Sequence, residues 1–437
     1  MANALFKKIF WKLPISQSFK NRIYQKRFKR ILDREKIYDE QGNITITNDS
    51  KLINEYVKYV FGLYGKKSDQ YSPYVKHKKI DTDIHLVAYY LTQFHQNMYN
   101  DEWWGKGTTE WNNVNQAVPQ FVGHYQPRKP GELGYYDLKS KNTFVRQIEL
   151  AQNYGIEAFC YYYYWFDNGE RLLDYPLNLF LENKDLDMKF FYCWANENWT
   201  RRFSGTNDDI LMKITSTVDN YQQFIESVIS DMKDERYYRI NGKPVLSVYL
   251  PSSIPEPEKV LSYWREKAIS ELKIDLYIIA VQERDITFNW MKVGFDAESE
   301  FQPKQIYMNC KNITKKVNPI RSDFAGVVYD YADAVKEKGY ISTINQKKKV
   351  FPAVMPMWDN TARRNFRGSV YHGSTPELYR EWLSDIVGRM KKREEFEDKL
   401  IFINAWNEWG EGAYIEPDDF YGYAYLEATY QALNDKK

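Results

Sequence analysis

Eight short apolar runs, set apart by polar stretches with helical periodicity, constrain this chain more than any other feature. The runs lie at 86–91, 158–165, 189–195, 244–250, 276–281, 297–301, 351–357 and 400–405, and helical patterns fall between several of them, at 143–154, 220–233, 257–272 and 376–393. Short runs that are apolar on both faces read as strands covered on both sides. Strands alternating with helices build parallel sheets, because each parallel neighbour needs a crossover. Eight such units predict an α/β fold, a (β/α)8 TIM barrel. A doubly wound open sheet is the alternative, but no Gly-x-Gly-x-x-Gly follows the first run.

In such a barrel the functional groups gather at the C-terminal ends of the strands. Tryptophan is concentrated there. Trp165, Trp194, Trp199, Trp358, Trp406 and Trp409 lie at or just past the ends of runs, and Trp103, Trp104 and Trp111 lie in the loop after the first. That is nine of 13 tryptophans, leaving Trp11, Trp264, Trp290 and Trp382 elsewhere. Aromatic residues make up 17% of the chain, 37 of them tyrosine, which is high enough to ask what the rings do. Flat rings suit the apolar faces of sugars, whose hydroxyls need polar neighbours; core filling is the plain alternative. Polar groups join the tryptophans on the same rim: Tyr89, Tyr90, Gln93 and His95; residues 161–164; Asn196, Glu197, Asn198, Arg201 and Arg202; Gln282 and Glu283; Glu300; Asp359 and Asn360; Asn407. Each alone reads equally as a solvated loop residue or a hydrogen-bonding strut.

Breaking a glycosidic bond takes two carboxyl groups, one protonated and one ionised. Glu408 and Glu411, three apart in a glycine-containing turn flanked by Trp406 and Trp409, are the best pair. Burial against tryptophan raises a carboxyl pKa and helps hold one as an acid. The competing reading has one of them capping the next segment and the other exposed.

Composition narrows the class. A net charge of +2 gives no global field for nucleic acid. Cys160, Cys193 and Cys310 form no disulfide framework and fit a reducing compartment. No zinc spacing or His-Glu-x-x-His pattern occurs, and no cofactor or metal is expected. Residues 1–80 read as a basic, mostly helical extension and 81–437 as the barrel. Up to Arg30 there is no acidic residue, while Lys7, Lys8, Lys12, Lys20, Arg22, Lys26, Arg27, Lys29 and Arg30 are basic. A helix packed on the barrel and an amphipathic element on an anionic inner-membrane surface are both open readings. With no signal-peptide h-region, the expected location is the cytoplasm, or peripherally the inner membrane face.

Four segments carry a resemblance. They are Tyr-Tyr-Leu-Thr-Gln-Phe-His at 89–95 with Asn-Asp-Glu-Trp-Trp-Gly-Lys-Gly at 100–107 and Glu110-Trp111; Gly-His-Tyr-Gln-Pro at 123–127 with Phe-Cys-Tyr-Tyr-Tyr-Tyr-Trp-Phe at 159–166; Cys-Trp-Ala-Asn-Glu-Asn-Trp-Thr-Arg-Arg at 193–202; and Ala-Trp-Asn-Glu-Trp-Gly-Glu-Gly at 405–412 with Ile-Glu-Pro-Asp at 415–418. Together they resemble the glycoside hydrolase family 99-like, or WbsX-type, domain over roughly residues 84–430. The resemblance implies a (β/α)8 barrel and a retaining reaction through a 1,2-anhydro sugar. Glu408 matches the base that takes the 2-hydroxyl proton, and Glu411 the acid that protonates the leaving oxygen. It also draws Glu110, His124, Tyr125 and Tyr163 into the substrate-binding set, beside Tyr89, Tyr90, His95, Trp103, Trp104, Trp111, Trp165, Trp194, Asn196, Glu197, Trp199, Arg201, Glu283, Trp358, Asp359, Trp406, Asn407 and Trp409.

The pattern departs at two places expected to line the site. Tyr163 stands where many WbsX-type chains carry histidine, and Gly410 where the endomannosidases tend to carry histidine. Mannose specificity is therefore not transferred. The expected function is cleavage or transfer of a manno- or rhamno-configured unit in cell-surface polysaccharide assembly, with an oligosaccharide or polysaccharide as substrate. A glycosyltransferase using an activated donor and a non-catalytic glycan-binding protein are the alternatives. For the former, Asp-x-Asp occurs at 81–83 and 185–187, away from the rim, and Arg201 and Arg202 can bind phosphate, although pairing with nearby acids such as Asp208 is the plainer reading.

Overall fold

The computed structural model describes residues 50–63, 65–200, 210–282, 286–321, 323–342, 345 and 348–435. Its frame is a ring of parallel strand segments: β1 Ile84–Tyr90, β2 Ile156–Trp165, β3 Lys189–Trp194, β4 Lys243–Val248, β5 Tyr277–Val281, β6 Ala297–Ser299, β7 Val350–Phe351, β8 Ala353–Val354 and β9 Lys399–Ile403. Their order is β7-β6-β5-β4-β3-β2-β1-β9-β8. The two ends of that order are neighbours in sequence, separated by Pro352 alone. Proline has no N–H for a ladder, but its carbonyl accepts from Phe402 N at 2.9 Å. The run 350–354 therefore pairs with β6 through its first half and β9 through its second, and the eight runs close into a barrel.

The crossover helices follow the sequence pattern. Lys141–Asn153, Pro257–Leu272 and Pro376–Met390 lie within a few residues of expectation, the last two opening on proline, whose fixed φ suits a first helical turn. The expected helix at 220–233 is shorter: it ends at Val228, and a separate turn follows at Asp231–Lys233.

Side chains alternate along β2, and this decides what reaches the barrel mouth. Tyr161 and Tyr163 turn outward to the helices, where Tyr161 meets Phe180 at 5.5 Å and Tyr163 meets Phe224 at 6.1 Å between ring centres. Tyr162 and Tyr164 turn inward. Beneath the mouth, Tyr89 meets Tyr162, Phe301 and Phe402 at 5.3–5.5 Å, an aromatic floor fed by four different strands or strand ends. Such a barrel is a packed core with its opening at one end.

Before the first strand, the helix Ser50–Leu63 is followed by an extended strap. Lys67 Nζ reaches the Asp419 carbonyl at 2.6 Å, Ser72 N the Tyr421 carbonyl at 3.1 Å, and the His77 ring stacks on Tyr430 at 3.7 Å. The basic stretch 1–30 lies outside the described residues. No helix among the described residues is long and apolar enough to cross a membrane.

The segment after β9 is fixed to the loop after β1 by one buried amide. Asn407 accepts from Leu91 N at 2.8 Å, and its Nδ2 donates to the Leu91 carbonyl at 2.9 Å and to the Tyr136 hydroxyl at 3.3 Å. Replacing it strands a buried backbone N–H and carbonyl. Asn407→Leu should cost about 2–4 kcal/mol in urea unfolding; a loss under about 0.5 kcal/mol, within the range of an ordinary surface substitution, would show the stitch is dispensable.

Candidate active site at the barrel mouth

Glu408 and Glu411 stand on a tight hairpin just past β9. Asn407–Glu408 pairs antiparallel with Ala413–Tyr414 around the turn Trp409–Glu411. Trp409 stacks on Tyr414 at 3.6 Å and its Nε1–H donates to Glu416 at 2.7 Å, so the turn is pinned from below. Gly412 sits at φ 57°, and a β-carbon there would press on Asp359 and Arg128 at 3.0 Å; only glycine suits the position.

One guanidinium ties three carboxyl groups together. Arg363 Nε donates to Glu110 at 2.7 Å, Nη2 to Glu408 at 2.9 Å, and Nη1 lies 3.2 Å from Glu411. The Glu110 side chain is 0% exposed, Glu408 8% and Glu411 28%, so the three grade from sealed to open. Burial pushes Glu408 up to about 8, with Arg363 opposing and Glu411 and Glu110 adding to the rise. Burial also raises Glu110 against the pull of Arg363. Gln93 Nε2 adds a neutral donor to Glu408 at 3.3 Å.

Glu408 and Glu411 open into a cavity of about 1150 Å³ at the C-terminal end of the barrel. That volume lies just above the usual range for small-molecule sites. Its walls are aromatic: Tyr162 and Tyr164 from β2, Trp199, Tyr249, Trp358 and the Tyr307, Tyr329 and Tyr371 group. Tyr329 and Tyr371 stack at 5.0 Å, brought together by a short parallel pair, Val327–Asp330 with Ser369–His372.

The structure sorts the sequence-read residues into three groups. Glu197, Trp199 and Trp358 line the cavity with Glu408 and Glu411. A second group supports it. Asp359 is fully buried and accepts from His124 Nε2 and Gln126 Nε2, both at 2.7 Å, and from Thr361 N and Oγ1. Those last two bonds shape the turn that presents Arg363, and Asp359 N donates to the Glu411 carbonyl at 2.7 Å. Burial opposes ionisation of Asp359, but His124, Arg128 and Thr361 outweigh it and hold the carboxyl well below the usual range. Glu110 belongs here, and so does Tyr89, in the floor.

The third group lies off the cavity. Trp194 is spent on the helix layer, stacked on Phe224 at 3.7 Å, with Trp165 at 5.8 Å from it. Tyr163 shares that layer, a correction to its expected place in the site: alternation along β2 puts its neighbours, not it, in the mouth. Tyr90 hydrogen-bonds Gln147, which donates to Glu416, so it acts only through the network under Trp409. Asn196 is consumed by both backbone groups of Leu250. Trp406 packs on Phe159, and Trp111 donates to the Tyr136 carbonyl. Trp103 and Trp104 sit on the helix Met98–Trp104, and Tyr125 packs on Phe420 at 4.8 Å. His95 donates to the Thr92 carbonyl at 2.7 Å, and burial lowers it to about 4. Arg201 and Glu283 lie outside the described residues. Arg363 was missed altogether, as were Tyr249, Tyr307, Tyr329 and Tyr371. The sequence marks only the turn that carries Arg363, through Asp359 two before Thr361 at a strand end, and not the arginine itself.

Asp83 pairs with Lys399 and Asp185 with Lys141, each ahead of its strand and so at the opposite end of the barrel from the cavity. Among the described residues no three His, Cys, Asp or Glu side chains cluster as metal ligands.

A family profile described as glycosyltransferase WbsX matches residues 86–429. A protein of Xanthomonas campestris pv. campestris strain B100, named uncharacterized protein WxcX, is 39% identical over 352 residues, covering 80% of this chain and 49% of its own length. The chain thus spans about half the length of the curated relatives it matches. Among solved structures, a glycoside hydrolase-like protein aligns with a TM-score of 0.51 at 16% identity, covering 83% of this chain and 97% of that one. The GH99 endo-alpha-mannosidase of Bacteroides thetaiotaomicron aligns at 0.47 and 15%, covering 81% and 98%.

The support under Arg363 has a pH signature. Asp359 has a lower pKa folded than unfolded, so its contribution to stability is full above the ordinary carboxyl value, about 4. It drains away as pH falls below that. Asp359→Asn should therefore destabilise strongly at neutral pH, with the gap to wild type narrowing in melts taken at successively lower pH. A gap that stays constant through the acid range would remove the ionised carboxylate from the account.

Proposed function

The chain belongs to the WbsX glycosyltransferase family, and from that membership and the carboxyl pair after β9 we propose that it is a carbohydrate-active enzyme that cleaves or transfers a glycosyl unit using Glu408 and Glu411. One observation carries the reading. Two carboxyl groups differing in burial face one aromatic cavity and are held by the same guanidinium. Unequal environments are what separate an acid from a base.

The proposed substrate is a manno- or rhamno-configured saccharide of cell-surface polysaccharide assembly. In such a sugar with an α-linkage the 2-hydroxyl is trans to the leaving group. One carboxylate takes the 2-hydroxyl proton, O2 attacks C1 from behind, the C1–O bond breaks, and the second carboxyl gives its proton to the departing oxygen. Water or another sugar then opens the 1,2-anhydro ring. The family resemblance makes Glu408 the base and Glu411 the acid. The rise that burial gives the Glu408 pKa favours the opposite order. The basic residues 1–30 are proposed to contact an anionic membrane surface.

A second reading, transfer from an activated donor, draws on the family's description and on Arg364, which lines the cavity. Incubation with nucleotide sugars and with lipid-linked oligosaccharides separates the two: release of free nucleotide supports the second reading, and shortened or extended oligosaccharide alone supports the first.

Glu408→Gln and Glu411→Gln should each lower turnover by about two orders of magnitude or more while binding survives, the scale of proton-transfer assistance. A substrate with a very good leaving group should rescue whichever variant lacks the acid and leave the other inactive. Full activity in both variants would end the assignment.

A further inference from the structure

Glu110 does not line the cavity, yet it shares a guanidinium with both groups that do. It is the first residue of the helix Glu110–Gln116, capped by Thr109, and its carboxylate meets Arg363 Nε from behind. Gly410 leaves room for this contact: a β-carbon there would stand 1.8 Å from Glu110 Oε1 and 2.8 Å from Arg363 Nε. Among the described residues, Arg363 is the one cation within ion-pair distance of Glu110, Glu408 and Glu411. Full ionisation would set three negative charges against one positive in a site where two of the carboxyls are almost sealed. Like charges at such spacing do not all ionise.

We propose that Glu110 is a positioning residue for the reacting pair: its carboxylate takes Arg363 Nε, which turns Nη2 and Nη1 to Glu408 and Glu411, and its charge obliges that pair to keep one proton at neutral pH. The cluster thereby holds the proton that the acid of the pair must deliver. Among the described residues, the other groups near the cluster leave this balance in place. Gln93 and Asn113 are neutral, burial keeps the Tyr164 phenol protonated, Arg364 and Lys304 line the cavity beyond ion-pair distance of the three carboxyls, Glu197 is exposed in the cavity wall, and Asp359 is paired with Arg128 beneath.

The inference rests on reading Glu408 and Glu411 as the proton-handling pair, but its test needs no turnover. The full chain, with glutamate 13C-labelled at the side-chain carboxyl, is titrated by NMR, and the resonance lost in Glu408→Gln is followed. Its midpoint in the intact protein should lie above neutral. In Glu110→Gln it should fall by about one pH unit or more, a tenfold change in proton affinity. Glu110→Asp keeps the charge and should keep the midpoint. Gly410→Ala, which expels Glu110 with all three carboxyls intact, should reproduce the fall. The upper limb of kcat/KM against pH should move with the midpoint. An unmoved midpoint in Glu110→Gln, or Asp and Gln variants that behave alike, overturns the proposal. A shifted midpoint in a protein whose Glu408→Gln and Glu411→Gln forms stay active keeps the proton-holding cluster and overturns the proposed function instead.

Discussion

A single guanidinium, on the turn after β8, joins the helix after β1, 253 positions before it, to the hairpin after β9, 45 positions beyond it. An arginine suits this because its donors form a rigid planar fork. The fork is only as well aimed as the turn that carries it. Thr361 holds that turn to Asp359, Asp359 is held by His124 and Gln126, and its own N–H reaches the Glu411 carbonyl. Glu408, Glu411 and their shared counter-ion are thus built on one continuous hydrogen-bonded support.

The barrel was legible because its strands are apolar on both faces and its helices amphipathic, patterns set by geometry. The place of Glu408 and Glu411 was legible because they follow the last run, close to Trp406 and Trp409. The aromatic residues were read less well, for a physical reason. At the end of a barrel strand one side chain points to the mouth and the next to the helix layer, and in Tyr-Tyr-Tyr-Tyr at 161–164 nothing in the residue types marks which is which. Trp194 and Tyr163 went to the helices, and Tyr162 and Tyr164 to the cavity. Arg363 was hidden differently. Its importance comes from partners at 110, 408 and 411, and no local pattern records a contact across 253 positions.

The two departures from the family pattern now separate. Tyr163 faces the helix layer, so a change there reaches the cavity only through packing. Gly410 underlies the contact between Glu110 and Arg363. A side chain at 410 and this ion pair exclude one another, and a chain with a large residue at that position must balance its carboxyls by other means.

The strap ahead of β1 has a consequence for how the molecule is made. Lys67 binds Asp419, 352 positions away, and His77 and Ser72 bind the same late region. While the chain is being synthesised those anchors do not yet exist. The strap emerges early and stays without its main anchors until residues 419–430 have left the ribosome. Contacts this distant in sequence are slow to form. Closure of the strap therefore waits on residues made more than three hundred positions after it, at 419–427.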